Sequence, residues 1–177
     1  MRHSDKSCGF TVMELMITLA ILATLALMTL PNMKRLIESN RMLSAKNALI
    51  ASLQQARADA ASTTRNNVLC PSANGRQCLT AGDWSKGWLL YRDDNRNGRF
   101  DPVESLLHVF TMDSSNLTVR TSDGRRKVTY RNQGRADGAN ARFVFCDARG
   151  ESFAGQVVIA NSGRIRTTDK VPVGACG

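Results

Sequence analysis

Arg164 and Arg166, in the stretch Gly163-Arg164-Ile165-Arg166, are the residues of this chain best suited to holding a polyanion. Two apart on an extended strand, they point to the same face. Their guanidiniums would stand roughly 6–7 Å apart by strand rise, a spacing that suits successive phosphates of a nucleic-acid backbone. Lys170 follows shortly after. The same pattern also serves an edge strand guarded by charge against aggregation, so the residues alone leave both roles open. Arg125-Arg126-Lys127, beside Gly124, form a second basic cluster at an expected hairpin tip, either an extension of a phosphate-binding surface or a solvated turn. Aromatic residues do not interleave with these cations, which argues against stacking on single-stranded bases. Backbone contact without sequence preference is expected instead.

A different chemistry is spelled by the run from Asp93 to Glu104, Asp-Asp-Asn-Arg-Asn-Gly-Arg-Phe-Asp-Pro-Val-Glu. Asp93, Asn95, Asn97, Asp101 and Glu104 occupy ligand positions of a calcium-loop template, and Gly98 its turn position. Against that reading, the flanks look like strands rather than helices, Arg96 and Arg99 bring positive charge, and Pro102 interrupts the exit. Asp, Asn and Gly are also what any hairpin loop prefers. An enzyme finds no support. His108 stands alone in an apolar run, no phosphate-cradling glycine loop is present, and no serine or cysteine has an activating partner pattern. No cofactor is expected apart from that possible calcium.

The elements that must carry these residues follow from periodicity. Phe10 to Leu30 is an apolar run of twenty-one residues in which Glu14 is the only charge, about the length a helix needs to cross a hydrocarbon core. Pro31 ends the run, but helix-compatible sequence resumes at once, so a kink near Pro31 is expected rather than a break. Leu36, Leu43, Ile50, Leu53, Ala56 and Ala60 recur at helical spacings and mark the expected buried stripe to about Ser62. Beyond Asn66-Asn67 the pattern turns to short β runs at 68–70, 88–91, 105–110, 117–121, 127–131, 142–146, 156–160 and 164–168. Those at 117–121 and 127–131 flank a Ser-Asp-Gly turn. A long helix cradled by an antiparallel sheet, an α+β fold, buries the stripe that the helix exposes.

The N-terminus then carries a resemblance. Gly9-Phe10, with Glu14 soon after and an apolar run behind, resembles the class III signal of type IV prepilins. A carboxylate in such a run costs on the order of 3 kcal/mol and needs a compensating role. The resemblance implies cleavage after Gly9 by a prepilin peptidase, N-methylation of Phe10, and pairing of Glu14 with the N-terminal amine of a neighbouring subunit. It divides the chain into a leader (1–9), a transmembrane and filament-core helix (10–30), the amphipathic half of the helix (31–63) and a β-rich head (64–177). The head would face the periplasm or the cell exterior, the helix would anchor in the bacterial inner membrane, and the subunit would assemble into a pilus. Removing the leader takes Cys8 and leaves Cys70, Cys78, Cys146 and Cys176, an even set suited to an oxidising compartment. Four cysteines allow three pairings. Cys70–Cys78 and Cys146–Cys176 are preferred, the second because it would pin the C-terminus to a strand.

The leader, the Trp84-Ser-Lys-Gly-Trp88 stretch, the Asp/Asn-rich loop and the Asn-Ser-Gly-Arg-Ile-Arg ending resemble the GspH/FimT family of minor pilins and pseudopilins, in its FimT-like branch. That resemblance implies the type IV pilin fold, other major and minor pilins as partners, and no catalytic activity. FimT-like members bind DNA through a C-terminal Gly-Arg-x-Arg element during uptake for natural transformation, and Gly163, Arg164 and Arg166 match it. GspH-like members instead belong to type II secretion pseudopili and carry no DNA role. The net charge of +9 suits double-stranded DNA as a partner.

Overall fold

The structure, a computed structural model, describes residues 9–112, 116–121, 125–138 and 140–176, the side chains of residues 28–32 excepted. Helix α1, Val12–Thr63, runs for 52 residues. The Glu14 amide donates to Thr11 Oγ1 at 3.2 Å, so Thr11 caps the helix and Thr11-x-x-Glu14 has the spacing of a capping box. The assignment of α1 continues across Pro31. No break interrupts the helical backbone there. At the other end Thr64 takes a left-handed conformation (φ 56°) and stops the helix.

The chain divides into two units, Met1–Asn40 and Arg41–Gly177. In the first, every described side chain from Phe10 to Leu27 is exposed, most of them apolar. Among the described residues no helix is long and apolar enough to cross a membrane. The apolar run expected to do so ends within residues 28–30, whose side chains are not described.

The second unit begins with the remainder of α1. Its buried stripe is Met42, Ala45, Leu49, Leu53, Ala56 and Ala60, spaced by three or four. Leu36 and Leu43, expected on that stripe, are more than half exposed, and Ile50 is only partly buried. The cause is angular. At about 100° per residue, positions seven apart slip by about 20°, and 43 lands roughly 80° from Leu53 on the side away from Leu49.

Eight strands follow: β1 Asn66–Pro71, β2 Gly87–Asp93, β3 Leu106–Thr111, β4 Leu117–Thr121, β5 Val128–Tyr130, β6 Ala141–Asp147, β7 Gly155–Ile159 and β8 Ile165–Thr168. They form two antiparallel four-stranded sheets, ordered β3-β2-β1-β5 and β4-β6-β7-β8. The expected turn between 117–121 and 127–131 does not join a hairpin. β4 pairs with β6 through Val119↔Phe145, and β5 pairs with β1 through Asn67↔Tyr130. A Ser-Asp-Gly sequence favours a chain reversal, but packing of the flanking apolar residues decides which strand becomes the neighbour.

One core unites these elements. Leu49, Leu53 and Ala56 of α1 meet Leu69, Trp88 and Tyr130 of the first sheet and Val119, Phe143, Phe145 and Val157 of the second. Trp84 sets its edge on Phe143 at 4.8 Å, and Trp88 stacks on Phe110 at 4.4 Å. The buried Trp88 indole donates to Ser52 Oγ at 2.9 Å, and that hydroxyl donates onward to Ala48 O. The helix is thus keyed to the sheet by a satisfied polar pair inside an apolar contact. Near its C-terminus Asp59 accepts from the Arg92 guanidinium at 2.8 Å and from Asn67 Nδ2 at 2.8 Å.

Two disulfides close the unit, Cys70–Cys78 with Cα atoms 5.6 Å apart and Cys146–Cys176 with Cα atoms 5.7 Å apart. The second draws the C-terminal tail across the outer face of the second sheet. There Val171 and Ala175 pack on Val144, Cys146 and Ala154, and Gln156 Nε2 donates to Lys170 O.

Candidate functional site

The Arg164–Arg166 pair is built by alternation. Ile165 pairs with buried Ile159 and packs on the core, so its neighbours project from the opposite, outer face of the second sheet. Both arginines are exposed. β8 is one of the two edge strands of that sheet and pairs with β7. Register then adds a residue that spacing along the chain does not reveal. Arg166 lies opposite Val158, and Val158 lies opposite Arg142 on β6. Arg142 and Arg166 therefore flank Val158 in one row, about 10 Å apart at two strand spacings. In the next row Arg120 of β4 lies opposite Val144 and is also exposed. Among the described residues no carboxylate pairs with Arg142, Arg164 or Arg166. The signal for Arg142 was present in Ala141-Arg142-Phe143, where the cation occupies the outward position of an alternating strand. Lys170 is exposed where the tail begins. Its neighbour Asp169 is engaged by Lys46 at 3.2 Å.

Gly163 serves this site by holding the turn that aims it. Its φ is +77°, and a Cβ there would lie 2.1 Å from Gly134 O, 3.2 Å from Arg57 Nε and 3.2 Å from Tyr130 Cε1. No side chain fits. The turn is docked by the Ala136 amide donating to Asn161 O at 3.2 Å and by Arg57 Nη2 reaching Ser162 O at 3.5 Å. Beside it opens a groove of about 590 Å³ lined by Arg131, Asn132, Gln133, Arg135 and Asn161 among others. Its one acid, Asp137, is bound to Arg131 at 2.6 Å. This junction brings two more arginines, Arg57 and Arg135, to the neighbourhood of Arg164, and none of it was foreseen.

The second basic cluster is drawn partly into structure. It lies on the connection between the two sheets, not at a hairpin tip, because β4 and β5 do not pair; Gly124 lies outside the described residues. Lys127 Nζ donates to Gly98 O at 2.9 Å. The Arg125 carbonyl accepts from Thr121 Oγ1 at 2.6 Å and Trp84 Nε1 at 3.4 Å, while its guanidinium lies over Gly138. Arg126 is exposed. The cluster lies apart from the β8 face in sequence and in hydrogen bonding.

The Asp/Asn loop joins β2 to β3 and coils on itself. Arg96 and Gly98 both have positive φ (61° and 66°). The Gly98 amide donates to Asp93 Oδ2 at 3.0 Å, the Asn97 amide to Asn95 Oδ1 at 2.9 Å, and the Arg99 amide to Asn97 Oδ1 at 2.7 Å. Asp101 Oδ2 accepts from the amides of Asn95 and Asn97, and the Asp101 amide donates to Glu104 Oε2 at 3.1 Å. Burial pushes the Glu104 carboxyl above its usual range, and the charges of Asp93 and Asp101 add to this.

In sequence, the family model of the type II transport protein GspH matches residues 45–163, and that of the prokaryotic N-terminal methylation motif matches residues 4–30. No curated protein matches the chain. In fold, it is similar to the type IV minor pilin FimU of Pseudomonas aeruginosa strain PAO1. One crystal form superposes with a TM-score of 0.61 at 22% identity, covering 77% of this chain and 96% of FimU. A second gives 0.57 at 21% identity, covering 74% and 97%. At that identity the likeness speaks for the fold: a long N-terminal helix packed on antiparallel sheets. With both family models matched and the pilin fold in place, the chain belongs to the GspH family, as a minor type IV pilin or pseudopilin of the GspH/FimT kind.

Proposed function

We propose that this minor pilin captures double-stranded DNA at the outer face of its second sheet for uptake in natural transformation. The observation that carries this reading is the cross-strand row Arg142–Val158–Arg166, with Arg164 beside it and, among the described residues, no carboxylate paired to any of the three arginines. Guanidiniums held on a rigid sheet suit phosphate oxygens, and a row that spans three strands can follow a backbone rather than grip one isolated anion. Lys170 supports the row. Gly163 contributes by shaping the turn. Binding of this kind is indifferent to base sequence and strongly salt-dependent.

The proposal includes the life history of the subunit. Residues 1–9 are removed by a prepilin peptidase, and the Phe10 amine is methylated. Residues 10–30 then anchor the chain in the inner membrane until Glu14, with the amine of a neighbouring subunit, sets register in the filament. The exposed apolar side chains from Val12 to Leu27 support this, since a surface of that kind needs lipid or another helix to cover it.

The test is DNA binding by the full chain in non-ionic detergent across a salt series. Wild type should show a log affinity that falls steeply with log salt. Each phosphate-contacting arginine replaced by alanine should lower that slope by about one, so Arg164→Ala/Arg166→Ala should lower it by about two and Arg142→Ala by about one. No binding at low salt would refute the proposal. A second reading is favoured by the matching family itself, the type II transport protein GspH: a structural subunit that primes a secretion pseudopilus or a pilus. Deletion that abolishes filaments favours that role, whereas deletion that spares filaments but abolishes DNA uptake favours capture.

A further inference from the structure

We infer that the loop from Asp93 to Glu104 is a calcium site, independent of the DNA-binding face. Asp93 and Glu104 are almost fully buried, with 3% and 7% of their surface exposed. In each, one carboxylate oxygen is fixed by a loop amide, Gly98 to Asp93 Oδ2 and Asp101 to Glu104 Oε2. The other oxygen, Asp93 Oδ1 and Glu104 Oε1, is buried without any hydrogen-bond partner. Among the described residues neither carboxylate has an ion-pair partner. Buried carboxylates are ordinarily paired with a cation or bound to a metal, because leaving them bare costs several kcal/mol. A cation between them would satisfy both orphan oxygens.

The rest of the donor set selects the metal. All candidates are oxygens: Asp93, Asn95, Asn97, the Arg99 carbonyl and Glu104 stand at positions 1, 3, 5, 7 and 12 of a calcium loop, and Asp101 at position 9, which reaches the ion through a water. Two carboxylates would bind directly, and amide and backbone oxygens would supply the remainder. Asn95 Oδ1 and Asn97 Oδ1 each accept one amide hydrogen now, which leaves each a second lone pair for the ion. Lys127 on the Gly98 carbonyl and the charges of Arg96 and Arg99 weaken attraction. The dissociation constant should therefore fall in the range of extracellular modules, about 10⁻⁴–10⁻³ M.

The experiment titrates calcium chloride into chelator-treated full chain in non-ionic detergent, followed by calorimetry and by thermal melting. One ion per chain should bind, and 10 mM calcium should raise Tm by several degrees. Magnesium at the same concentration should have less than half that effect. Glu104→Gln should weaken binding at least tenfold. Asp101→Asn, at a more exposed position, guards against loss of fold: its melting in chelator should match wild type while its calcium affinity drops several-fold. Absence of heat together with an unchanged Tm at 10 mM calcium would overturn the proposal, as would calcium shifts that persist undiminished in both variants.

Discussion

Replacing Gly163 with alanine isolates what the glycine of the Gly-Arg-x-Arg stretch does. Two costs are expected. The first is conformational, since φ is +77° and an L-residue held there loses on the order of 1–2 kcal/mol. The second is steric. The new Cβ would sit 2.1 Å from Gly134 O, a backbone atom whose loop lies against Arg57 and is held by the Ala136–Asn161 hydrogen bond. Overpacking of that kind adds roughly 1–3 kcal/mol, for a total of about 2–5 kcal/mol. Gly174→Ala is the matched control: its φ is +78°, but nothing lies within 4 Å of the added carbon, so only the first cost applies. Urea unfolding followed by the fluorescence of the buried Trp84 and Trp88 reads the difference. The Gly163 variant should unfold at a distinctly lower midpoint than the control with an unchanged m-value. Equal midpoints would refute the claim that close packing, rather than ligand contact, requires glycine there.

Two other perturbations test the packing and the charge network. Leu53→Ala should cost about 2–5 kcal/mol, whereas Leu43→Ala, on the exposed side of the same helix, should stay within about 0.5 kcal/mol; comparable losses in both would contradict the observed stripe. Burial raises the Asp59 carboxyl, but hydrogen bonds from Arg92 and Asn67 outweigh it and hold the group below its ordinary 3.8. Its contribution is therefore full above about pH 4 and is lost as pH falls through the lower folded value. Unfolding midpoints measured from pH 6 down to pH 2 should decline less steeply below pH 4 in Asp59→Asn than in wild type, and parallel curves would count against the pairing.

Local pattern was enough to locate the helix and every strand among the described residues, because alternation and turn residues act over a few positions. It misplaced the helix stripe at Leu36 and Leu43, where sevenfold spacing conceals a drift that only the facing sheets resolve. It merged two sheets into one, since the Ser-Asp-Gly sequence between β4 and β5 carries no record of which strands lie alongside. The same limit applies to the basic face: Arg164 and Arg166 stand two apart in the chain and were legible, but Arg142 joins them only through register. Lys127 read as a free cation because its acceptor, Gly98 O, is 29 residues away in the chain. Gly163 read as part of a binding element because its neighbour across the turn, Gly134, is likewise remote.

The exchange of the chain between sheets bears on how the head comes apart. β1, β2 and β3 build the first sheet, β4 opens the second, β5 returns to the first, and β6 to β8 complete the second. Neither sheet is a continuous piece of polypeptide, so neither can peel away while the other keeps its pairing. A protease or a pulling force acting on this unit should meet one barrier and release the whole of it at once. A translocated chain, equally, cannot finish the first sheet until β5 has emerged, with the second sheet already begun.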